Sequence, residues 1–250
     1  MALPAFNRVI GEIGDFFLPQ VCLFCRSPGI RKGHVPLCPG CLEGFIPVTE
    51  PFCPCCGLPY PGETGTHICA SCQQAPPPYT WARSLILYRG RGWEFIHHLK
   101  FNGDLSTLSV LRYLLLERME KETRYLMGEF ALDLIVPVPL HPRGLRERGY
   151  NQALLIALCL SEVLHLPVDR THLVKARETL PQIGLTKSER ERNIQGAFET
   201  RNPDRFKGKR VLLVDDVYTT GATVKICTRT LLRAGAHSVY VWTLARTAMT

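Results

Sequence analysis

The segment RVLLVDDVYTTGAT, residues 210–223, is the most informative stretch of the 250-residue sequence. Four consecutive apolar residues, Val211 to Val214, predict a buried strand, and a Thr-Thr-Gly-Ala-Thr turn then opens the next helix. Such a turn can direct backbone N–H groups and threonine hydroxyls at one concavity, where the helix amino terminus adds partial positive charge. A glycine in the turn lets the backbone approach an anion closely. The segment therefore predicts a phosphate-binding turn made of Thr219, Thr220, Gly221, Ala222 and Thr223.

Two carboxylates, Asp215 and Asp216, stand at the carboxyl end of this predicted strand. They are poor phosphate ligands because like charges repel, so their natural partners are the vicinal hydroxyls of a sugar or a magnesium ion. Paired aspartates at a strand end also occur in magnesium-dependent phosphotransferases and receiver domains, but those lack the phosphate turn that follows directly here. The combination fits the signature of type I phosphoribosyltransferases. It predicts a site for 5-phosphoribosyl 1-pyrophosphate (PRPP) with Mg2+.

The sequence around this segment alternates between strand and helix patterns. Strand candidates lie at 82–88, 132–140, 171–176, 210–217 and 238–245. Helix candidates lie at 108–121, 151–164 and 223–235. Mostly apolar strands separated by helices predict an α/β fold with a parallel sheet covered on both faces. Ligands bind at the carboxyl ends of the strands in such sheets, which is where the two aspartates lie.

Basic residues elsewhere are candidates for holding the pyrophosphate of PRPP. The segment 136–152, VPVPLHPRGLRERGYNQ, is predicted to be a loop after a strand, and it contains Arg143 and Arg148. Arginines at the carboxyl edge of a sheet fit pyrophosphate recognition. Lys100, in HLKFNGD, is a third candidate. The alternative for the segment is a solvated basic loop that pairs with Glu147.

The segment 177–198, RETLPQIGLTKSERERNIQGAF, joins two predicted core strands without clear hydrophobic periodicity. It is long for an ordinary connection, which makes it a candidate lid. Its polar candidates for contacting substrate are Arg177, Gln182, Arg190 and Asn193. Arg177, Arg190 and Asn193 are predicted to be catalytic by closing over the pyrophosphate. A charged surface loop and helix is the alternative interpretation for any one of them.

Eight cysteines near the amino terminus form two copies of one pattern. The copies are Cys22-x2-Cys25, twelve residues, Cys38-x2-Cys41, and Cys53-x2-Cys56, twelve residues, Cys69-x2-Cys72. Paired thiolates on two knuckles give the tetrahedral all-thiolate geometry that zinc takes in closed structural sites. The spacing predicts two structural zinc ions whose binding supplies folding energy to a segment with few large apolar side chains. It leaves open whether each repeat closes its own site or the pairs interleave.

Other interpretations of the cysteines are less consistent with the sequence. A disulfide framework needs an oxidising compartment, and nothing in the sequence sends the chain to one. A thioredoxin-like redox site does not need four matched pairs. Cys55 is interpreted as a bystander thiol, and His34 and His67 as solvated loop residues rather than zinc ligands.

Charge and hydropathy limit the location and the ligands. Residues 1–80 contain four Lys/Arg against five Asp/Glu, a net charge of −1, and residues 81–250 contain 26 against 17, a net charge of +9. The basic character of the chain, +8 in total, therefore resides in the second segment. A basic surface attracts polyphosphates and nucleic acids alike. Residues 1–20 place apolar side chains at helical spacing, which predicts an amphipathic helix packed on the protein, with an interfacial membrane helix as the alternative. We expect a cytoplasmic protein without stable membrane insertion.

Several segments together resemble the ComF/GntX family over nearly the whole chain. They are the paired cysteine repeats, LKFNGD (99–104), VPVPLHPRGLRERGYNQA (136–153), RETLPQIGL (177–185), which runs into Arg190 and Asn193, and the segment 210–223. The resemblance implies a double zinc ribbon followed by a type I phosphoribosyltransferase fold, with a five-stranded parallel sheet and a hood. The expected divisions are an amphipathic helix at 1–20, the double zinc ribbon at 21–75 and the phosphoribosyltransferase-like domain at 81–250.

The resemblance also implies a connection with DNA, through natural competence or the use of external DNA. It implies no acceptor for phosphoribosyl transfer. Three functions therefore remain open: a phosphoribosyltransferase with an unidentified acceptor, a non-catalytic sensor of PRPP or nucleotide in a DNA-uptake assembly, and a module that binds single-stranded DNA. The expected partners are PRPP, single-stranded DNA and DNA-uptake proteins.

Overall fold

The computed structural model of the chain describes residues 21–28, 30, 35–60, 65–101, 106–117, 131–179 and 194–248. Several predictions fall outside these residues and keep their status as predictions. They are the amino-terminal helix at 1–20, His34, Gln182, Arg190 and Asn193.

Four parallel strands form the main sheet. The strands in chain order are β1 (Ala82–Leu87), β2 (Leu134–Pro137), β3 (Leu173–Lys175), β4 (Phe198–Thr200), β5 (Arg210–Tyr218) and β6 (Ser238–Arg246). The spatial order in the main sheet is β1-β6-β5-β2, and every neighbouring pair is parallel. Their apolar side chains are buried along most of each strand, as the sequence pattern predicts for a sheet covered on both sides. The predicted α/β class is confirmed.

Helices cover the sheet and connect its strands. They are α1 (Pro39–Glu43), α2 (Ala70–Gln74), α3 (Arg91–Phe101), α4 (106–117), α5 (Pro142–Arg148), α6 (Gln152–Leu164) and α7 (Ala222–Arg233), with a 3-10 turn at Pro203–Arg205. The amino end of α6 is capped by Asn151, whose side chain accepts a hydrogen bond from Ala153 N at 3.0 Å. Within the described residues, no helix has the length and apolarity needed to cross a membrane.

Alternate residues of the strands enter two hydrophobic layers, one on each face of the sheet. Val211 and Leu213 of β5 join a layer that contains the buried side of α7, called here the α7 layer. Leu212 and Val214 join a layer that contains the buried sides of α3, α4 and α6, called here the α6 layer. The strand that carries the two aspartates is therefore fixed from both faces.

The two cysteine repeats belong to different layers. The first repeat contributes Leu23 and Phe45 to the α6 layer. The second contributes Leu58 and Tyr60 to the α7 layer, together with its four cysteines. Each repeat thus adds its few apolar side chains to one face of the larger core instead of forming a core of its own.

The prediction that 171–176 is a strand of the parallel sheet is wrong. Strand β3 pairs antiparallel with β4 in a separate two-stranded sheet. Only Leu173 of β3 is buried, and the residues before it, Thr171 and His172, are polar. A strand with one solvent-exposed face is typical of antiparallel sheets, whereas parallel strands are buried on both faces. The resemblance implies a five-stranded sheet, whereas the described main sheet has four strands. Val168 adds an isolated parallel bridge to Ile135 at the edge of this sheet.

The prediction that the basic segment 136–152 is a loop is also wrong, because its centre is helix α5. Pro142 occupies the first turn, where its missing N–H is not needed. The ring of His141 accepts a hydrogen bond from Arg143 N, and Gly149, at a φ of +80°, ends the helix in the left-handed conformation. These local end signals outweigh the low apolar content of the segment.

Candidate functional site

Each cysteine repeat closes its own cluster, which answers the question that the spacing left open. The four sulfur atoms of each cluster lie within 4.8 Å of one another. The clusters are Cys22, Cys25, Cys38 and Cys41, and Cys53, Cys56, Cys69 and Cys72. In the two clusters the backbone N–H groups of Cys38 and Cys69 donate to Cys22 Sγ and Cys53 Sγ, at 3.5 and 3.4 Å. Four thiolates with backbone donors fit a closed, structural zinc site and leave no position for substrate.

The residues that sequence reasoning set aside near these clusters lie outside the sulfur sets. Cys55 is half-buried, and its carbonyl accepts a hydrogen bond from Ala82 N at 2.7 Å. His67 is exposed and stacks on the Tyr60 ring, with 4.1 Å between ring centroids. Neither belongs to the second cluster.

The predicted phosphate turn follows β5 directly and opens α7. Thr219 is exposed, Thr220 and Thr223 are half-buried, and the Thr220 hydroxyl accepts from Ala222 N at 3.4 Å. Gly221 has a φ of +73°, which favours glycine, and a side chain there would overlap the phenol of Tyr218. The turn therefore requires glycine both for its backbone conformation and for the close approach of Tyr218.

The two aspartates lie at the carboxyl end of β5, beside this turn. Asp216 N donates to Asp215 Oδ1 at 2.9 Å, and Val217 N donates to Asp216 Oδ1 at 2.7 Å. Burial raises the pKa of Asp215 well above its usual range, and the adjacent Asp216 raises it further, while Lys100 opposes the rise. Lys100 Nζ lies 3.1 Å from Asp216 Oδ2. The end of α3 thus brings a cation to the carboxylate pair.

Arg148 lies next to this lysine through a shared glutamine. Its Nη1 donates to Gln152 Oε1, and Gln152 Nε2 donates to the backbone carbonyl of Lys100, both at 3.5 Å. Tyr150 supports the same junction, since its hydroxyl donates to Leu99 O at 2.7 Å. The structure therefore brings together Lys100 and Arg148, two of the three predicted pyrophosphate ligands.

The third predicted ligand, Arg143, faces solvent. Its guanidinium pairs with Glu147 at 3.0 Å and with Glu178 at 3.2 Å, and about three-fifths of its side chain is exposed, at 61%. The pairing with Glu147 is the one that the alternative interpretation of the segment proposes. Arg177 lies nearby and donates to Gln195 O at 2.8 Å. Arg143 is therefore an exposed cation that two glutamates already pair.

Lys175 is a site candidate that sequence reasoning missed. Burial lowers its pKa, and the positive charges of Arg148 and Arg177 lower it further, while Cys227 and Asp215 act in the opposite direction. Its Nζ donates to Thr179 Oγ1 at 2.7 Å. In THLVKA, residues 171–176, Lys175 lies two positions after the buried Leu173 and therefore on the same face of the strand. A lysine on an inward face is unusual, and this was the sequence signal that could have identified Lys175 as a site residue.

The arrangement combines two features in one chain: a pair of four-cysteine clusters and a parallel sheet that ends in a carboxylate pair beside the predicted phosphate turn. The family model described as double zinc ribbon domain matches residues 13–74. The family model described as phosphoribosyl transferase domain matches residues 156–249. The chain is thus a double zinc ribbon joined to a domain of the phosphoribosyltransferase fold.

Relatives match the chain over nearly its whole length. DNA utilization protein YhgH of Escherichia coli is 37% identical over 232 residues, which cover 92% of this chain and 98% of that protein. Competence protein F of Haemophilus influenzae is 33% identical over 235 residues, covering 90% and 96%. The chain belongs to the ComF/GntX family, as its cysteine repeats and PRPP-type segment predict.

Among solved structures, glutamine PRPP amidotransferase from B. subtilis, complexed with ADP and GMP, is 21% identical. The match covers 61% of this chain and 30% of that one, at a TM-score of 0.38.

Proposed function

We propose that the chain binds PRPP with Mg2+ at the carboxyl end of β5 and serves DNA uptake or the use of external DNA. The carrying observation is the direct succession of Asp215, Asp216 and the Thr219–Thr223 turn, with Lys100 at 3.1 Å from Asp216. The turn would hold the 5-phosphate and the aspartates the ribose hydroxyls. The names of the relatives, DNA utilization protein and competence protein, support the biological setting.

The cations around the aspartates support the assignment of the pyrophosphate end. Lys100 pairs with Asp216, Arg148 is linked to Lys100 through Gln152, and the half-buried Lys175 of β3 experiences the charge of Asp215. Together they would neutralise the pyrophosphate of PRPP. Arg143 would lie at the rim of the proposed site, and a lid that includes Arg177, Arg190 and Asn193 would close over bound ligand.

The same site supports phosphoribosyl transfer as the reaction. The bond between ribose C1 and the pyrophosphate oxygen breaks, and its electron pair leaves with pyrophosphate. A nucleophilic atom of the acceptor bonds to C1, and its proton passes to the departing pyrophosphate or to solvent. Lys100 and Arg148 would stabilise the leaving group, the aspartates would orient the ribose, and a closed lid would exclude water. Mg2+ bound with PRPP would supply further neutralisation of the leaving pyrophosphate.

Isothermal titration of PRPP with Mg2+ tests the binding proposal. Wild type should bind, and Asp216→Asn should bind at least about tenfold more weakly, since a lost charge-assisted contact costs roughly 1.5–3 kcal/mol. Asp204→Asn is the matched control, because Asp204 is exposed on the 3-10 turn that precedes β5. No binding by the zinc-loaded wild type would exclude both the transferase and the PRPP-sensor functions.

A second pair of measurements separates the remaining functions. Pyrophosphate release in the presence of nucleobases or DNA would indicate turnover, and binding without release would indicate a sensor. A single-stranded DNA module, which the +9 charge of residues 81–250 favours, should lose oligonucleotide affinity steeply as salt rises. A salt-independent affinity would argue against that third function.

The proposal includes the division and the location of the chain. The helix at 1–20, the zinc ribbons at 21–75 and the phosphoribosyltransferase-like domain at 81–250 would work together in the cytoplasm, where thiolates remain reduced and available to zinc. DNA-uptake proteins are the proposed protein partners.

A further inference from the structure

Arg246, the last residue of β6, is a buried cation beside the second cysteine cluster. Its side chain is 2% exposed, and its Nη1 donates to the carbonyl of Cys56. In the described part of the chain, its Nε has no hydrogen-bond partner, and none of the ion pairs involves this arginine. A buried guanidinium without a carboxylate is costly unless other negative charge compensates it.

The second cysteine cluster supplies such charge when it holds zinc. Four thiolates around one Zn2+ leave a net charge of two negative units on a cluster whose four cysteines are all buried. Arg246 contacts the backbone of one of these ligands, Cys56. The zinc-loaded cluster and the buried arginine therefore compensate each other inside the α7 layer.

The same arginine contacts the phosphate turn through Tyr218. Arg246 and Tyr218 are partners in the parallel pairing of β6 with β5, and the guanidinium lies 5.0 Å from the centroid of the Tyr218 ring. The hydroxyl end of the same ring lies against Gly221, where a side chain would overlap it. The contacts thus run from Cys56 through Arg246 and Tyr218 to the glycine of the turn.

Tyr79 fixes the hydroxyl of Tyr218, at the end of the ring that approaches Gly221. The two hydroxyls are 2.6 Å apart in a buried hydrogen bond. Tyr79 follows the second cysteine repeat by seven residues and shares its hydrophobic layer. Burial raises the pKa of Tyr218 to about 12, so the ring stays neutral and its hydroxyl remains a donor. Tyr218 is therefore held by Tyr79, which follows the second repeat, and by Arg246, which contacts Cys56 of that repeat.

We infer that Arg246 and Tyr218 are positioning residues that make the affinity of the phosphate turn for PRPP depend on zinc in the second cysteine cluster. The inference rests on the proposed function of the turn. Loss of the metal releases the four sulfur atoms from one fixed arrangement, which loosens the contact of Arg246 with Cys56 and frees the ring that packs on Gly221. Because binding free energies are reciprocal, bound PRPP in turn tightens zinc in this cluster.

The first cluster provides a matched control. Arg91 lies beside it, with its guanidinium 5.4 Å from the centroid of the Phe24 ring, but it pairs with the carboxylate of Glu94. Its side chain is 29% exposed, so it does not depend on the thiolates for charge. Arg91→Met and Arg246→Met therefore remove the same group beside equivalent clusters, and only the second interrupts the contacts to the turn.

Competition with a zinc-selective chelator, with and without saturating PRPP and Mg2+, tests the coupling. In wild type, PRPP should tighten zinc in one cluster by about tenfold, a typical coupling. The Cys25→Ser variant lacks a ligand of the first cluster. PRPP should still tighten zinc in this variant, which would assign the effect to the second cluster. Arg246→Met should abolish the effect and weaken PRPP, whereas Arg91→Met should retain both. Equal zinc affinity with and without PRPP, in a wild type that binds PRPP, would overturn the inference.

Two further measurements separate the coupling from a loss of folding and from a failure of the proposed PRPP binding. Tyr79→Phe removes only a hydroxyl, and it should reduce the coupling while the melting temperature stays close to that of wild type. Should wild type fail to bind PRPP, amide hydrogen exchange of residues 218–223 still decides. Exchange there should accelerate in Arg246→Met and on loss of zinc from the second cluster, but not in Arg91→Met. Unchanged exchange in all three cases would refute the coupling.

Discussion

The two cysteine clusters have the same ligand spacing and different surroundings. The first has an exposed ligand, Cys25, and adds its apolar residues to the α6 layer. The second has four buried ligands and forms part of the α7 layer. Spacing therefore specifies the metal site, while the residues around each knuckle specify which part of the molecule the site supports.

The proposed PRPP site lies where the two layers meet at the carboxyl edge of the sheet. Lys100 arrives from α3, in the layer of the first cluster. The phosphate turn opens α7, in the layer of the second cluster. In the proposed site, the first ribbon thus shares a layer with Lys100 at the pyrophosphate end, and the second shares a layer with the turn at the 5-phosphate end.

The largest expected difference between the clusters is in stability. Cys56→Ser disturbs a buried four-thiolate set, whereas Cys25→Ser removes an exposed ligand. Breaking a buried charged network costs roughly 3–5 kcal/mol, and each kcal/mol moves the melting temperature by about 2–4 °C at this chain length. We expect calorimetry to show a melting temperature about 10 °C lower for Cys56→Ser than for Cys25→Ser. Equal losses would mean that the two clusters are equally embedded.

The glycine of the phosphate turn allows a sharper test of the second cluster's layer. Gly221→Ala and Gly208→Ala both place a side chain at a φ near +70°, which costs about 1–3 kcal/mol in each case. Only at Gly221 does the new Cβ overlap Tyr218; nothing lies within 4 Å of it at Gly208. PRPP titration should show a loss of more than about tenfold for Gly221→Ala and none for Gly208→Ala. Similar affinities for the two variants would remove Tyr218 from the account of the turn.

Two cations test the contribution of the first cluster's layer. Lys100→Met should weaken PRPP by about tenfold or more, because a contact to a charged group contributes roughly 1.5–3 kcal/mol. Arg143→Met should change affinity by less than about threefold, because exposed pairs such as Arg143 with Glu147 are worth about 0–1 kcal/mol. Both affinities come from the same titration. The opposite order would place the pyrophosphate at the rim.

The smallest expected effect is a gain in stability at the site itself. Because burial raises the pKa of Asp215, the fold disfavours its ionised form, and the unliganded protein should gain stability as pH falls from neutral through that raised pKa. Asp215→Asn removes the penalty and should raise the melting temperature at pH 7 while weakening PRPP. Thermal melts from pH 5 to 8 check both, with Asp204→Asn as the control. A lower melting temperature for Asp215→Asn would show that the carboxylate stabilises the fold.

Much of this architecture could be predicted because its signals are local. The run from Val211 to Asp216 encodes a buried strand and its polar end in adjacent residues, and the cysteine spacing encodes two metal sites. The strand prediction at 171–176 is wrong because the apolar content of a short segment does not distinguish a parallel core strand from an antiparallel pair. The pairing of β3 with β4 is set by contacts such as Val174 with Glu199, which short-range patterns do not contain.

The parts of the site that could not be predicted depend on distant pairings. Cys56 and Arg246 are 190 residues apart, and Tyr79 and Tyr218 are 139 apart. An arginine at the end of an apolar strand is ordinarily interpreted as a solvated terminus. Its burial follows only from the docking of the second ribbon on the strand end. The helix α5 was missed for a related reason, since its end signals, His141, Pro142 and Gly149, lie in a segment that is basic rather than amphipathic.

A crystal structure of the zinc-loaded chain with PRPP and Mg2+ tests the central claim most directly. We predict the 5-phosphate in the turn at residues 219–223, the ribose hydroxyls at Asp215 and Asp216, and the pyrophosphate near Lys100 and Arg148. PRPP bound elsewhere, or these residues without ligand at saturating PRPP, would contradict it.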